Sequence, residues 1–349
     1  MIDPSAVLAG DRRALARLLT QVENGTEAAG QALAALFPHT GRARRVGITG
    51  PPGSGKSSLV NELAKRLLHG EGTERAPATV AIVAVDPSSP FTGGAILGDR
   101  IRMRDLAGDP GIFIRSMASR GTLGGLARTT ADVVNVLDAA GYDVILIETV
   151  GAGQSEVDIA RAAHTTVVVE APGLGDDVQA IKAGLLEVAD ILVVNKADQP
   201  GAEAARRALR ASLDLAHPAA RRWANADGAH AGRGHEPVMV EAEAPDEMWI
   251  PPIVSTVAVK GEGFEALLEA LDRHRTHLET SGELGRRERE RLAHELEARL
   301  RDYLLADLRD RVGPKALAST LERVAARQQD PGSAARELVS TIYQRSLEP

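Results

Sequence analysis

Short apolar runs alternate with longer amphipathic stretches along most of the chain. The runs Ile145-Leu146-Ile147 and Val167-Val168-Val169 are apolar at consecutive positions, which indicates strands that are covered on both faces. Between the runs, apolar residues recur at helical spacing. Strands are predicted at 45–49, 79–85, 111–115, 143–148, 165–170, 190–194 and 252–255, and helices between them at 56–69, 123–140, 154–163, 176–188 and 201–214. The alternation predicts an α/β fold with a doubly wound, mostly parallel sheet and a ligand at the carboxyl ends of its strands.

Both ends of the chain have a helical pattern. Two short helices are predicted within 4–40, and the chain is predicted to be helical from 262 to its end. One long, charged C-terminal helix carries a leucine stripe formed by Leu292, Leu296, Leu300, Leu304 and Leu308. Such a stripe must be buried, either against the rest of the chain or, as we favour, in a dimer contact. The predicted parts are an N-terminal helical extension (1–40), a central α/β domain (41–275) and a C-terminal helical dimerisation arm (276–349).

Composition narrows the class of protein. Hydrophobic residues make up 44% of the chain and charged residues 26%, as in ordinary globular proteins. The net charge of -7 argues against a nucleic-acid partner. The absence of cysteine excludes disulfides, thiolate metal sites and cysteine catalysis. No apolar run reaches the roughly 18 residues of a membrane helix and no signal peptide is evident, so we expect a cytoplasmic protein without a membrane partner.

A glycine-rich turn follows the first predicted strand. Residues 50–57 read G-P-P-G-S-G-K-S and match G-x-x-x-x-G-K-[ST] between a strand and a helix. In such a P-loop, backbone N–H groups close around phosphate oxygens at a helix N-terminus. Lys56 is expected to reach the β- and γ-phosphates, and the Ser57 hydroxyl to ligate Mg²⁺. The predicted phosphate site of this P-loop NTPase fold comprises Gly50, Pro51, Pro52, Gly53, Ser54, Gly55, Lys56, Ser57 and Ser58.

The base is indicated by Asn195-Lys196-Ala197-Asp198, which ends the predicted strand 190–194. The Asp198 carboxylate can accept from N1–H and the exocyclic amine of guanine, whereas adenine offers an acceptor at N1 and no neighbouring amine. Each charge-assisted bond lost with the wrong base costs roughly 1.5–3 kcal/mol. Asn195 and Lys196 are expected to brace the loop and flank the base. The sequence therefore predicts GTP as substrate and GDP as product.

Acidic residues at two further strand ends suggest a metal and switch network. Glu148-Thr149-Val150-Gly151 stands where a typical GTPase carries D-x-x-G, so Glu148 is expected to sense the metal and Gly151 to offer its N–H to the γ-phosphate. Asp86 and Asp99 carry hard oxygen ligands suited to Mg²⁺, directly or through water, although either can instead be a simple cap.

The catalytic step is assigned to Lys56, Glu148 and Gln154. Gln154 follows Gly151 closely without being adjacent to it. It either orients the attacking water or begins the following helix, and both readings stay open.

Four segments carry a resemblance to a known family: GPPGSGKSS, VDPSSPFTGGAILGDRIRM, ETVGAGQSE and VVNKAD. Together they resemble the metallochaperone-type P-loop GTPases of the SIMIBI class, and within it the methylmalonyl-CoA mutase-associated GTPases, a B12 chaperone group also labelled arginine or LAO/AO transport ATPases. The resemblance covers most of the chain and is densest from Val46 to Asp198. It implies a homodimeric GTPase that docks on an adenosylcobalamin-dependent acyl-CoA mutase and gates loading of the cofactor and removal of damaged cobalamin. It also implies weak intrinsic hydrolysis that a partner raises.

The resemblance extends to individual residues. Asp86, Asp99 and Glu148 match the metal and switch network, and 173–182 matches an additional switch that couples nucleotide state to the mutase. The coupling residues are taken to be Asp176, Gln179 and Lys182. Ser255-Thr256 departs from the family, whose last guanine-contacting motif usually reads Ser-Ala.

Three alternatives remain beside this interpretation. A nickel- or cobalt-insertion GTPase would need thiolates or histidine tracts, and the chain has no cysteine and nine scattered histidines. A P-loop kinase linked to amino-acid transport fits the older family label, but the residues 195–198 favour guanine. A nucleotide-gated interaction module that scarcely turns over differs from the favoured function only in degree.

Overall fold

A single parallel sheet forms the centre of the computed structural model, which describes residues 3–70, 76–87, 106, 108–119, 125–149, 162–173, 186–216 and 248–345. Its strands are β1 (Arg44–Thr49), β2 (Val80–Pro87), β3 (Ile112–Ser119), β4 (Val144–Thr149), β5 (Thr165–Glu170), β6 (Ile191–Val194) and β7 (Ile253–Ser255). They lie in the order β3-β2-β4-β1-β5-β6-β7, and every neighbouring pair among them is parallel. The predicted α/β fold class is confirmed, with all seven predicted strands present to within a few residues.

Helices precede, separate and follow the strands. Within the described residues they are α1 (Pro4–Leu8), α2 (Arg12–Glu23), α3 (Glu27–Leu36), α4 (Lys56–His69), α5 (Gly125–Ala139), α6 (Ala202–Ala216), α7 (Phe264–Thr280), α8 (Glu283–Val312), α9 (Pro314–Ala325) and α10 (Pro331–Arg345). The predicted helices at 154–163 and 176–188 fall almost entirely outside the described residues. Among the helices of the described residues, none is both long enough and apolar enough to cross a membrane.

The N-terminal region contains three helices rather than the two predicted. The additional helix α1 has five residues, too few for a helical period to stand out in the sequence. The Asp3 side chain accepts from the N–H of Ser5 at its start, and Asp11 caps α2 by accepting from the N–H groups of Arg13 and Ala14. The Asp11 cap lies between the two helices and starts α2 as a separate helix.

The two faces of the sheet have separate apolar cores, as a doubly wound fold requires. Val46, Ile48 and Val169 face the cluster that includes α4 and α7. Ile145 and Ile147 face the cluster that includes α2, α3 and α5. β4 and β5 are buried at every position, which explains the runs of consecutive apolar residues at 144–147 and 167–169.

A buried ion pair fixes the chain where it enters β1. Arg45 donates to the Asp138 carboxylate at 3.0 Å, and both side chains are almost fully buried. The same carboxylate accepts from the backbone N–H groups of Gly41 (2.8 Å) and Ala43 (3.0 Å). Because the charge is paired and hydrogen-bonded, it can be buried there, and it positions the strand that leads into the P-loop.

The chain divides into two compact units, Met1–Glu288 and Arg289–Pro349, with the division inside α8. The first unit contains the sheet and the helices α1 to α7. In the second, Leu296, Leu300 and Leu304 of the predicted stripe are 60%, 52% and 68% exposed. An apolar row this exposed is a candidate contact surface.

Candidate nucleotide site

Two glycines fix the shape of the P-loop at the end of β1. Gly50 has a φ of +139°, and a Cβ there would lie 2.1 Å from the carbonyl oxygen of Val169. Gly55 has a φ of +89°, and a Cβ there would lie 2.4 Å from Nδ2 of Asn195. Both positions therefore require glycine for conformation and for space. The loop consequently packs on the end of β5 and on the residue that begins the N-K-x-D element.

Lys56 and Ser57 are the first residues of α4, and both are buried. The Lys56 ammonium donates to the carbonyl oxygens of Gly50 (2.8 Å) and Pro51 (2.9 Å), so it lies back across the loop. This places a positive charge beside a helix N-terminus, where backbone N–H groups and the helix dipole both favour an anion.

The Ser57 hydroxyl lies against the acid at the end of β4. Its Oγ donates to Oε1 of Glu148 at 2.6 Å, and Glu148 is buried. The register of the sheet brings them together, because Ile48 of β1 is paired with Glu148. A hydroxyl and a carboxylate side by side are hard oxygen ligands, so the residues present fit Mg²⁺.

Other predicted metal, switch and coupling residues are only partly described. Asp86 lies in β2, two positions beyond the partner of Glu148 in the register, so its backbone is at the same edge of the sheet. The Asp86 side chain is outside the described part of the chain. The remaining predictions outside the described residues are Asp99, Gly151, Gln154, Asp176, Gln179 and Lys182.

Asn195 and Lys196 join the predicted base loop to the P-loop. The Asn195 amide donates to the Ser54 carbonyl at 2.9 Å, and Asn195 is buried. Lys196, which has a positive φ of 55°, donates from Nζ to the Gly53 carbonyl at 2.8 Å. Hydrogen bonds from both residues therefore hold two loops that are about 140 positions apart in the chain.

The segment after β7 is tied to the same asparagine. Oδ1 of Asn195 accepts from the Thr256 hydroxyl (3.2 Å) and from the N–H of Ala258 (3.1 Å). The buried Thr256 also donates its N–H to the Val194 carbonyl at 2.9 Å. The Thr256 hydroxyl thus makes a contact with Asn195 that the alanine expected from the resemblance could not make. Ser255 beside it is exposed.

Sequence reasoning missed the partner of Asp198. The Lys260 ammonium lies 2.9 Å from Oδ2 of Asp198, and its hydrogen bond lowers the pKa of that carboxyl group. The ion pair therefore favours the charged form of a carboxylate that lies at the end of the N-K-x-D element. Lys260 ends a short 3-10 turn, Ala258–Lys260, and only its position one turn after β7 hinted at this contact.

Comparison with known proteins identifies the family. The family model described as methylmalonyl-CoA mutase-associated GTPase MeaB matches residues 15–312. A Pyrococcus abyssi relative that carries the name GTPase is 44% identical over 334 residues, covering 95% of this chain and 94% of its own. The mouse methylmalonic aciduria type A homolog, a mitochondrial protein, is 35% identical over 240 residues, covering 69% and 51% respectively.

A solved structure agrees with this assignment over nearly the whole chain. The crystal structure of an LAO/AO transport system kinase is 26% identical, covers 97% of this chain and 96% of its own, and superposes with a TM-score of 0.63. Its likeness extends across the sheet that carries the P-loop. On the family match, the chain belongs to the methylmalonyl-CoA mutase-associated GTPases of the MeaB family and is a GTPase that binds GTP and GDP.

Proposed function

We propose that this GTPase serves an adenosylcobalamin-dependent acyl-CoA mutase, gating loading of the B12 cofactor and protecting or reactivating the mutase. The observation that carries the proposal is the family match over residues 15–312, because the family is described by its association with methylmalonyl-CoA mutase. The mouse relative is named for methylmalonic aciduria, and this name supports a role connected with methylmalonyl-CoA mutase. We place this activity in the cytoplasm.

We propose that the nucleotide binds across the P-loop and the N-K-x-D loop, which are joined by hydrogen bonds. Lys56 would contact the β- and γ-phosphates, and Asp198 would read guanine, with Asn195 and Lys196 holding the loops at a fixed separation. A cradle that is already braced loses little conformational freedom when the nucleotide binds.

Mg²⁺ would be held by Ser57 and Glu148, whose oxygens lie 2.6 Å apart, together with Asp86 and Asp99. When bound, the ion supplies positive charge against the β- and γ-phosphate oxygens. Ser57 begins α4, and Glu148 lies in β4. A change at the phosphate site that moves Ser57 would therefore also move Glu148 and the residues that follow β4.

The related crystal structure is that of a protein described as an LAO/AO transport system kinase, and we do not propose that activity for this chain. The family description names a GTPase, and the Asn195 to Asp198 element suits guanine. For the metallocentre-insertion alternative, the chain has no cysteine to handle nickel or cobalt.

A purified adenosylcobalamin-dependent acyl-CoA mutase is expected to raise the GTPase rate of this chain about tenfold or more. Docking would shift the switch segments toward their active arrangement through contacts that only the docked state makes. Lys182→Ala, in the proposed coupling segment, should leave GTP affinity within about twofold of wild type but blunt the stimulation, because binding uses the P-loop and base loop. The measurement is phosphate release with and without the mutase.

Lys65→Ala is the matched control, since it also removes one lysine charge but lies on the partly exposed side of α4. It should be stimulated like wild type. Equal stimulation of the Lys182 variant and wild type would exclude the coupling segment. No stimulation of wild type by methylmalonyl-, isobutyryl-, 2-hydroxyisobutyryl- or ethylmalonyl-CoA mutase would contradict the proposed partner.

The C-terminal stripe is proposed to form a homodimer contact. Leu296, Leu300, Leu304 and the neighbouring Tyr303 (72% exposed) together present an apolar surface on a helix that is otherwise charged. Their spacing places the three leucines one turn apart along one side of α8.

Changing Leu296, Leu300 and Leu304 together to Ser should convert a dimer to a monomer in light scattering while GTP binding persists. The burial lost is roughly 1.5–3 kcal/mol per leucine in each protomer. A control with Glu290, Glu297 and Arg301 changed to Ser introduces the same helix-propensity cost on exposed positions of α8 and should remain dimeric. A monomeric wild type, or a dimeric leucine variant, would refute this contact.

A further inference from the structure

Arg66, on the P-loop helix α4, contacts the turn that follows β7. Its Nη2 donates to the carbonyl oxygen of Gly261 at 2.8 Å, and its Nε donates to Oε1 of Glu62, one helical turn earlier, at 3.0 Å. The guanidinium carbon also lies 5.5 Å from the ring centre of Phe264, which is fully buried at the start of α7. A carboxylate, a carbonyl and an aromatic ring therefore hold this partly buried guanidinium in one position.

The turn that Arg66 reaches is tightly constrained. Val257 and Glu262 close it with an antiparallel bridge, in which the N–H of Val257 donates to the Glu262 carbonyl at 3.0 Å. Gly261 has a φ of +70°, and a Cβ there would lie 2.9 Å from both Nη2 of Arg66 and Oε1 of Glu62. Position 261 consequently requires glycine, because the guanidinium packs directly on the backbone of the turn.

The same turn contacts the two ends of the N-K-x-D element. The N–H of Ala258 donates to Oδ1 of Asn195 at 3.1 Å. The Lys260 ammonium lies 2.9 Å from Oδ2 of Asp198. Gly261 follows Lys260 directly, so the bond from Arg66 to its carbonyl fixes the backbone from which both contacts are made.

Arg66 also connects the two halves of the nucleotide site. The helix α4 begins at Lys56 in the P-loop and carries Arg66 further along. Because an α-helix has a fixed rise per residue, the bond to Gly261 sets the distance between the P-loop and the turn. The bonds of Asn195 and Lys196 to the P-loop connect the same two halves at a second place.

We propose, on the basis of the guanine-reading role proposed above for the N-K-x-D loop, that Arg66 is a positioning residue for guanine recognition. It holds the 258–261 turn so that Asn195 and Asp198 are in place before the nucleotide binds. A site that is already ordered loses less conformational freedom on binding, so it binds its ligand more tightly. Arg66 acts through the turn, because it donates to the backbone of that turn.

The test is Arg66→Met, which keeps the length of the side chain and removes every N–H donor. We expect the Kd values for GDP and GTP, measured by calorimetry, to rise about fivefold, because the turn loses a charge-assisted bond. Arg13→Met, at an exposed position of α2, removes the same group and should change neither value. A lower Tm of Arg66→Met with unchanged Kd values would show a merely structural role and would overturn the inference.

Gly261→Ala disturbs the same contact from the side of the turn. Its Cβ would lie 2.9 Å from Nη2 of Arg66 at a φ that disfavours alanine, so we expect a similar rise in the GDP Kd. The double variant should bind GDP within about twofold of the weaker single variant, since both changes break one contact. If the two losses multiply instead, Arg66 and Gly261 act separately and the inference is wrong.

An Asn195→Ala background separates this inference from the assignment of the base site. There the loss caused by Arg66→Met should shrink to less than about twofold, because the buried contact of the turn with Asn195 is gone and the exposed Lys260–Asp198 pair contributes little. A loss that stays fivefold would place the effect of Arg66 elsewhere and contradict the inference alone. Undiminished GDP binding by Asn195→Ala itself would instead overturn the base-site assignment.

Discussion

Lys56→Ala is expected to reduce GTP hydrolysis at least about a hundredfold and to weaken GTP binding by a similar factor. The physical reason is that the ammonium would provide charge-assisted bonds to the β- and γ-phosphates, each worth roughly 1.5–3 kcal/mol, and would stabilise charge that develops in the transition state. Phosphate release and calorimetric titration with GTP measure the two effects.

The fold should survive this change. Lys56 is buried, but its described bonds are to loop carbonyls rather than to the apolar core. We expect the Tm of the nucleotide-free variant to stay within a few degrees of wild type, while the rise in Tm produced by added GTP is lost. Lys65→Ala should retain both hydrolysis and the rise. Wild-type turnover by Lys56→Ala would show that the P-loop has been assigned incorrectly.

Asp198→Asn is expected to reverse the preference of the site from guanine to xanthine. In the proposed site the carboxylate would accept two N–H groups of guanine, whereas an amide would place an N–H₂ group against the guanine amine. The 2-oxo group of xanthine can accept from that amide instead. Loss of two charge-assisted bonds should weaken GTP binding about a hundredfold and strengthen XTP binding.

Lys260→Ala is the control for Asp198→Asn, because both changes remove the surface ion pair but only Asp198→Asn changes the group proposed to contact the base. It removes the 2.9 Å contact to Asp198 but leaves the carboxylate in place. It should therefore weaken GTP binding only slightly and gain no affinity for XTP. If Asp198→Asn binds GTP as wild type does in calorimetry, Asp198 has no part in reading the base.

The fold was predictable because its signals are local. A strand in a parallel sheet is covered on both faces, so β4 and β5 each contain a run of consecutive apolar residues, at 144–147 and 167–169. The P-loop is also local, since glycine is required at Gly50 and Gly55 by their own φ angles and near neighbours. The short helix α1 was missed because five residues do not complete two helical turns.

The interactions that join the site were not predictable in the same way. Glu148 meets Ser57 because β4 is next to β1 in the sheet, and Asn195 meets Ser54 because only β5 separates β6 from β1. The strand order depends on the whole chain, so it cannot be read from the sequence of the P-loop or of the segments that contact it.

We propose that GTP turnover by this chain keeps an adenosylcobalamin-dependent mutase active. The direct measurement is the loss of activity of a purified acyl-CoA mutase during turnover, followed with the chain and GTP, with the Lys56→Ala variant and GTP, and without either protein. We expect the mutase to stay active several times longer with the wild-type chain and GTP than in the other two reactions. If the mutase loses activity at the same rate in all three, for each mutase class tested, the proposed function is contradicted.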